Sequence, residues 1–122
     1  MIKEIAFTVY PAKDVAGLRK WYEDKLGLKF TGPYEEEGVE KYNESTIGGG
    51  TFSVMTTEWA DRDPGSASGI VFEVDDIDKS IADLRGKGIE VEDAYETPVC
   101  KITSFVDGEG NKVSYHQVTV PH

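Results

Sequence analysis

Two stretches of this 122-residue chain repeat one order of features, and a duplication limits the fold more than any other property of the sequence. Ile5-Ala6-Phe7-Thr8-Val9 and Ile70-Val71-Phe72-Glu73-Val74 share an apolar-x-Phe-x-Val alternation, the period of a strand with one face on a core. Each run leads into a helical pattern. Val15, Leu18, Tyr22 and Leu26 share one helical face in the first copy, and Ile77, Ile81 and Leu84 in the second. Asp14 and either Asp75 or Asp76 suit the N-caps, and Gly27 and Gly88 the helix ends. Gly27 to Gly88 and Phe52 to Val113 each span 61 positions, whereas Ile5 to Ile70 spans 65. The difference assigns about four extra residues to the first copy, placed at Tyr10-Pro11-Ala12-Lys13.

Three strand candidates follow each helix, roughly 28–33, 40–47 and 50–57, then 89–94, 100–106 and 111–118. Each copy therefore reads βαβββ, with Gly48-Gly49-Gly50 and Asp107-Gly108-Glu109-Gly110-Asn111 as turns. The expected organisation is a single α+β domain over 1–122. It holds module one at about 1–58, a polar connector at about 59–68 and module two at about 69–122.

Thirteen basic residues against 23 acidic ones give a formal charge of −10. That balance argues against nucleic acid and anionic membranes as partners, since both call for a positive surface. One cysteine, Cys100, excludes an intrachain disulfide and a cysteine-based zinc site. No apolar stretch nears the roughly 20 residues that cross a bilayer. The first residues enter a strand pattern with no leader, so a cytoplasmic protein is expected.

Three segments carry a family resemblance. Asp14 to Phe30, DVAGLRKWYEDKLGLKF, resembles the helix and following strand of the vicinal oxygen chelate superfamily (glyoxalase I, extradiol dioxygenases and bleomycin-resistance proteins), with Trp21-Tyr22 at its aromatic pair. Gly69 to Val91 is similar to the opening of that superfamily's second module. Phe105 to Asn111 is similar to its last hairpin, with Gly108 where proline is usual. The resemblance implies tandem βαβββ modules forming a cupped mixed sheet with a concave cleft, commonly as a homodimer. Strand alternation then turns Ile5, Phe7 and Val9 to the helix and Glu4, Ala6 and Thr8 to the cleft. Ser53 and Met55, and in the second copy Gly69, Val71, Glu73, Lys112, Ser114 and His116, also line it.

Metal-dependent members of the superfamily draw His, Glu or Gln ligands from four positions, which here read Glu4, Ser53, Gly69 and Ser114. One carboxylate does not hold a catalytic metal against water. No metal ligand is assigned, a divalent metal is disfavoured, and the cofactor is left unknown. A displaced set of Glu4, Glu73 and His116 would restore a metal, and Glu–His acid–base chemistry would do without one. These three are the candidate catalytic residues of a glyoxalase- or dioxygenase-like lyase or oxidoreductase. Thr8, Ser53, Met55, Ser114, Tyr42 and Trp59 are the candidate ligand-binding residues, and Tyr34 and Tyr95 are further rim aromatics. Three functions stay open: a small-molecule-binding protein without the usual metal set, a protein that sequesters a bulky cationic drug without chemistry, and a metal enzyme. Cys100 reads as a small buried hydrophobe, and His122 as a disordered terminal residue without a role.

Overall fold

The computed structural model describes residues 1–120, so His122 lies outside the described residues. They form two compact units, Met1–Ala67 with Asp107–Asn111, and Ser68–Val106 with the chain from Lys112 onward.

The first unit runs β1 (Thr8–Ala12), α1 (Val15–Leu26), β2 (Tyr34–Glu36), β3 (Val39–Ile47), β4 (Gly50–Thr56) and a short α2 (Thr57–Ala60). Its sheet order is β1-β4-β3-β2, with β1 parallel to β4 and the other pairs antiparallel. Asp14 caps α1 by accepting the Gly17 N–H at 3.0 Å, and Gly27 ends it at φ 72°, a left-handed turn natural to glycine. Val15, Leu18 and Tyr22 on α1 are buried, as are Tyr10, Phe52 and Val54 on the sheet. Tyr10 and Tyr22 meet the Phe52 ring edge-on at 5.3 and 5.0 Å.

The first strand corrects the sequence reading. It spans Thr8–Ala12 rather than residues 5–9, so Tyr10 to Ala12 are strand and not an insertion. Pro11 argues against a strand in sequence because it cannot donate to a ladder. Here β1 is an edge strand, where that loss is tolerated. Thr8 aligns with Phe52 and Tyr10 with Val54, which places Thr8 on the core side and Val9 with Ser53 on the other. The expected cleft position of Thr8 is thereby reversed. Tyr10 and Ala12 bury almost completely in this register, which an opposite register would forfeit.

The strand expected at 28–33 is also displaced. In place of a ladder, Thr31 donates its N–H to the Glu44 carbonyl and Gly32 its N–H to Asn43 Oδ1, before Pro33, which has no N–H to donate. Between Tyr34↔Tyr42 and Glu35↔Glu40, Lys41 is an extra residue, a bulge. The bulge lets Glu40 and Asn43 point to the α1 side, where Glu40 holds Arg19 at 3.1 Å, while Tyr42 points to the other face. Glu40 and then Glu23 hydrogen-bond the Arg19 guanidinium and push its pKa up.

Residues Asp107–Asn111 complete this unit. The buried Asp107 carboxylate accepts the Tyr22 hydroxyl at 2.7 Å, the Glu109 and Asn111 N–H groups, and the Asn111 side chain. Asn111 in turn donates to the Pro11 carbonyl and accepts the Ala67 N–H. Glu109 takes the N–H groups of Lys13 and Asp14 at 2.6 and 2.9 Å. A side chain at Gly108 would begin 2.9 Å from the Trp21 ring, which accounts for glycine at that position.

The second unit runs β5 (Ile70–Glu73), α3 (Ile77–Gly86), β6 (Tyr95–Glu96), β7 (Cys100–Val106) and β8 (Lys112–Val118), in sheet order β5-β8-β7-β6. The N-cap is Asp76, which accepts the Lys79 N–H. Ile77, Ile81 and Leu84 are buried, and Phe105 meets Tyr115 edge-on at 5.0 Å. Burial, and secondarily Asp83, pushes the Tyr115 hydroxyl up to about 12. No strand forms over the expected 89–94, and a two-residue strand, Tyr95–Glu96, follows it. Side chains rather than a ladder hold the preceding stretch: Arg85 binds the Val91 carbonyl at 2.8 Å and Thr103 the Glu92 carbonyl at 2.8 Å.

With both sheets in register, the repeat offset becomes clear. Thr8 and Ile70 stand in the same place relative to Phe52 and Val113, 62 positions apart, as do the caps Asp14 and Asp76. Against the 61 between the helix-ending glycines, the difference is one residue, not four.

Candidate functional site

In the first unit, the sheet face opposite α1 carries a row of aromatic side chains. Tyr42 aligns with Met55 on β4 and Tyr34 on β2, and its ring meets Phe7 edge-on at 5.8 Å. Tyr34 packs against Trp59 of α2 at 5.7 Å. Phe7, Tyr34 and Trp59 are each 43–51% exposed, well beyond what packing alone requires of such large apolar surfaces. Carboxylates border the row: the Tyr42 hydroxyl donates to Glu44 at 2.8 Å and the Tyr34 hydroxyl to Glu36 at a long 3.5 Å. Burial, followed by the bond to Glu44, pushes the Tyr42 hydroxyl up. Ser53 lies on this face but is buried, with its hydroxyl donated to the Thr8 carbonyl at 3.0 Å.

In the second unit, the face opposite α3 carries a Glu–His pair. Glu73 and His116 are aligned partners on β5 and β8, with His116 Nδ1 2.5 Å from Glu73 Oε1. Glu73 Oε2 accepts the Val118 N–H at 2.8 Å. On the same face, the Ser114 and Ser104 hydroxyls bond each other at 2.8 Å. Ile102 sits directly across from His116, and the half-exposed Val71 precedes Glu73 by two residues.

The structure thus brings Glu73 and His116 together. Glu4 lies in the exposed residues before β1, and the described residues hold no group of three His, Cys, Asp or Glu side chains able to share a metal. Glu4 belongs to the first unit and the Glu73–His116 pair to the second. Register also replaces one of the four family positions. Val71 aligns with Ser114 and Val9 with Ser53, so the counterpart of Gly69 is Phe7 rather than Glu4. Phe7, Ser53, Gly69 and Ser114 offer two hydroxyls, both already bonded, and no carboxylate or imidazole. This donor set does not fit a divalent ion.

Sequence reasoning missed Phe7, which it turned to the core, and Glu44. The run from Ile5 to Ala12 offers apolar residues on both alternations, so no local pattern chooses its register. Tyr95 is 71% exposed on β6. Cys100 is half-buried with its sulfur 3.1 Å from the Thr97 hydroxyl, not a buried hydrophobe. Lys101 turns to Asp78 and Glu96, and the bond to Asp78 raises its pKa. A groove of about 630 Å³ on the α1 side touches Lys13, Leu18, Trp21 and Pro64, but its acids Asp14 and Glu109 are occupied by backbone N–H groups.

A βαβββ unit followed by a second of the same order defines a class of paired-module α+β proteins. The family model described as Glyoxalase/Bleomycin resistance protein/Dioxygenase superfamily matches residues 4–115, and the chain belongs to that superfamily. Among solved structures it is similar to TnmS3, an antibiotic binding protein from Streptomyces sp. CB03234. The identity is 22%, with 97% of this chain and 98% of that one covered and a TM-score of 0.81. A superfamily member from Sphaerobacter thermophilus is 19% identical over 95% and 98% of the two chains, TM-score 0.82. A lactoylglutathione lyase from Agrobacterium tumefaciens is 18% identical over 96% and 95%, TM-score 0.76. At these identities the likeness is one of fold. No curated protein is similar enough to count as a match.

Proposed function

We propose that this protein binds a planar, cationic aromatic small molecule without transforming it, on the aromatic face of the first unit. One observation carries the reading: Phe7, Tyr42, Tyr34 and Trp59 form an exposed row in which both tyrosine hydroxyls donate to carboxylates. Aromatic faces attract flat rings and cations alike, and adjacent carboxylates add to the attraction. The formal charge of −10 steers cations towards the protein. A donor set unsuited to a metal supports binding over metal-assisted catalysis, and the antibiotic-binding relative gives the fold a precedent for a binding role.

The reading keeps the homodimer expected from the family. Ile2 and Ile5, 93% and 87% exposed, are surface that a second copy would cover. It keeps the cytoplasm as the setting; no helix among the described residues is long and apolar enough to cross a membrane.

The test is titration with proflavine, a flat tricyclic cation, followed by the dye's own fluorescence, with the anionic dye fluorescein as comparison. Trp59→Ala should weaken proflavine binding about tenfold, and added salt should weaken it further. Equal affinity for both dyes, or wild-type affinity in Trp59→Ala, would sink the reading.

A further inference from the structure

The Glu73–His116 pair on the second unit has a built-in polarity that the aromatic row does not use. An ionised carboxylate only accepts hydrogen bonds, so the contact at 2.5 Å puts the proton on Nδ1 of His116. A second bond helps to hold Glu73 in place, its other oxygen accepting the Val118 N–H at 2.8 Å. In the neutral imidazole this tautomer leaves Nε2 as a lone-pair acceptor, and Nε2 has no hydrogen-bond partner among the described residues. The His116 side chain is 29% exposed, which leaves that atom reachable.

Its surroundings set the kind of molecule that would reach it. Ile102 lies across from His116 on β7, and Val71 and Val118 are 47% and 37% exposed. The neighbouring polar groups are committed: Ser104 and Ser114 bond each other, and Lys101, adjacent to Ile102 in sequence, binds Asp78 and Glu96. Lys112 stands at the far end of β8. One oriented acceptor among apolar side chains matches one donor on an otherwise apolar molecule.

We propose that His116 Nε2, oriented by Glu73, is a binding site for the hydroxyl of an apolar hydroxylated small molecule, a phenol being the simplest case. This site stands apart from the aromatic row, and its affinity comparison rests on two uncharged probes so that the two can fail separately.

The experiment compares 2-naphthol, its methyl ether 2-methoxynaphthalene, and 2-naphthoate at about pH 8. Wild-type protein should bind 2-naphthol about fivefold more tightly than the ether, the worth of one neutral hydrogen bond. His116→Phe should erase that preference, and Glu73→Leu should reduce it. The His116 Nε2 nitrogen resonance of wild-type protein should shift with 2-naphthol and not with the ether, a readout independent of how the variants fold. Equal affinities, a preference for 2-naphthoate, a still resonance, or no saturable binding of any probe would each overturn the proposal.

Discussion

Asp107→Ala should be the most damaging single truncation in the last hairpin turn. Its carboxylate accepts four donors: the Tyr22 hydroxyl at 2.7 Å, the Glu109 and Asn111 N–H groups at 2.9 and 3.0 Å, and Asn111 Nδ2 at 3.0 Å. Tyr22 and Asn111 are fully buried, so three of those donors lose their acceptor where water reaches them poorly. A donor left unsatisfied costs about 1–3 kcal/mol, and a water entering the vacated space recovers part of it. The expected loss is therefore about 3–5 kcal/mol, a fall in Tm of roughly 10–20 °C for a chain of this size. Tyr22→Phe removes one charge-assisted bond and should cost about 2 kcal/mol. The two changes share an interaction, so the double variant should be little worse than Asp107→Ala alone. Urea unfolding followed by tryptophan fluorescence reads this directly, since Trp21 packs against Gly108 in the same turn. A loss below about 1 kcal/mol, or additive single effects, would refute the assignment of this carboxylate as the centre of the turn.

Two other outcomes follow from the second unit and from the donor chemistry. Tyr115 is raised to about 12 by burial, so its contribution to stability is fully present below pH 10, the unfolded value, and is lost as pH rises from there through 12. Chemical unfolding across alkaline pH should show a decline that Tyr115→Phe flattens; an unchanged slope would contradict it. Nickel, zinc, manganese or iron(II) should leave the melting temperature unmoved, because Phe7, Ser53, Gly69 and Ser114 supply no free ligand. Stoichiometric metal in protein purified without chelator, with a stabilisation lost in His116→Ala, would reverse that conclusion.

Much of the architecture was legible in the chain because it rests on local chemistry. Capping aspartates, helix-ending glycines and apolar helix faces act within a few residues, so Asp14, Gly27, Leu18 and Tyr22 announced α1 as clearly as Ile77, Ile81 and Leu84 announced α3. Alternation also sorted β5 and β8 correctly, which put Glu73 and His116 on one face. The sequence by itself thus determined the doubled βαβββ order and the polar pair of the second unit.

Only the tertiary structure decided the register of β1. Residues 5–12 are apolar on both alternations, and the choice fell to which set could bury against Phe52, Leu18 and Tyr22. Tyr10 and Ala12 fill that space, and Phe7 is thereby left on the opposite face beside Tyr42. The bulge at Lys41 likewise answers to a distant partner, since it frees Glu40 to meet Arg19 while Tyr42 stays outward. A one-residue slip inverts every side chain in a strand, so the aromatic row and the loss of a ligand at the first-strand position both follow from packing that no local pattern encodes.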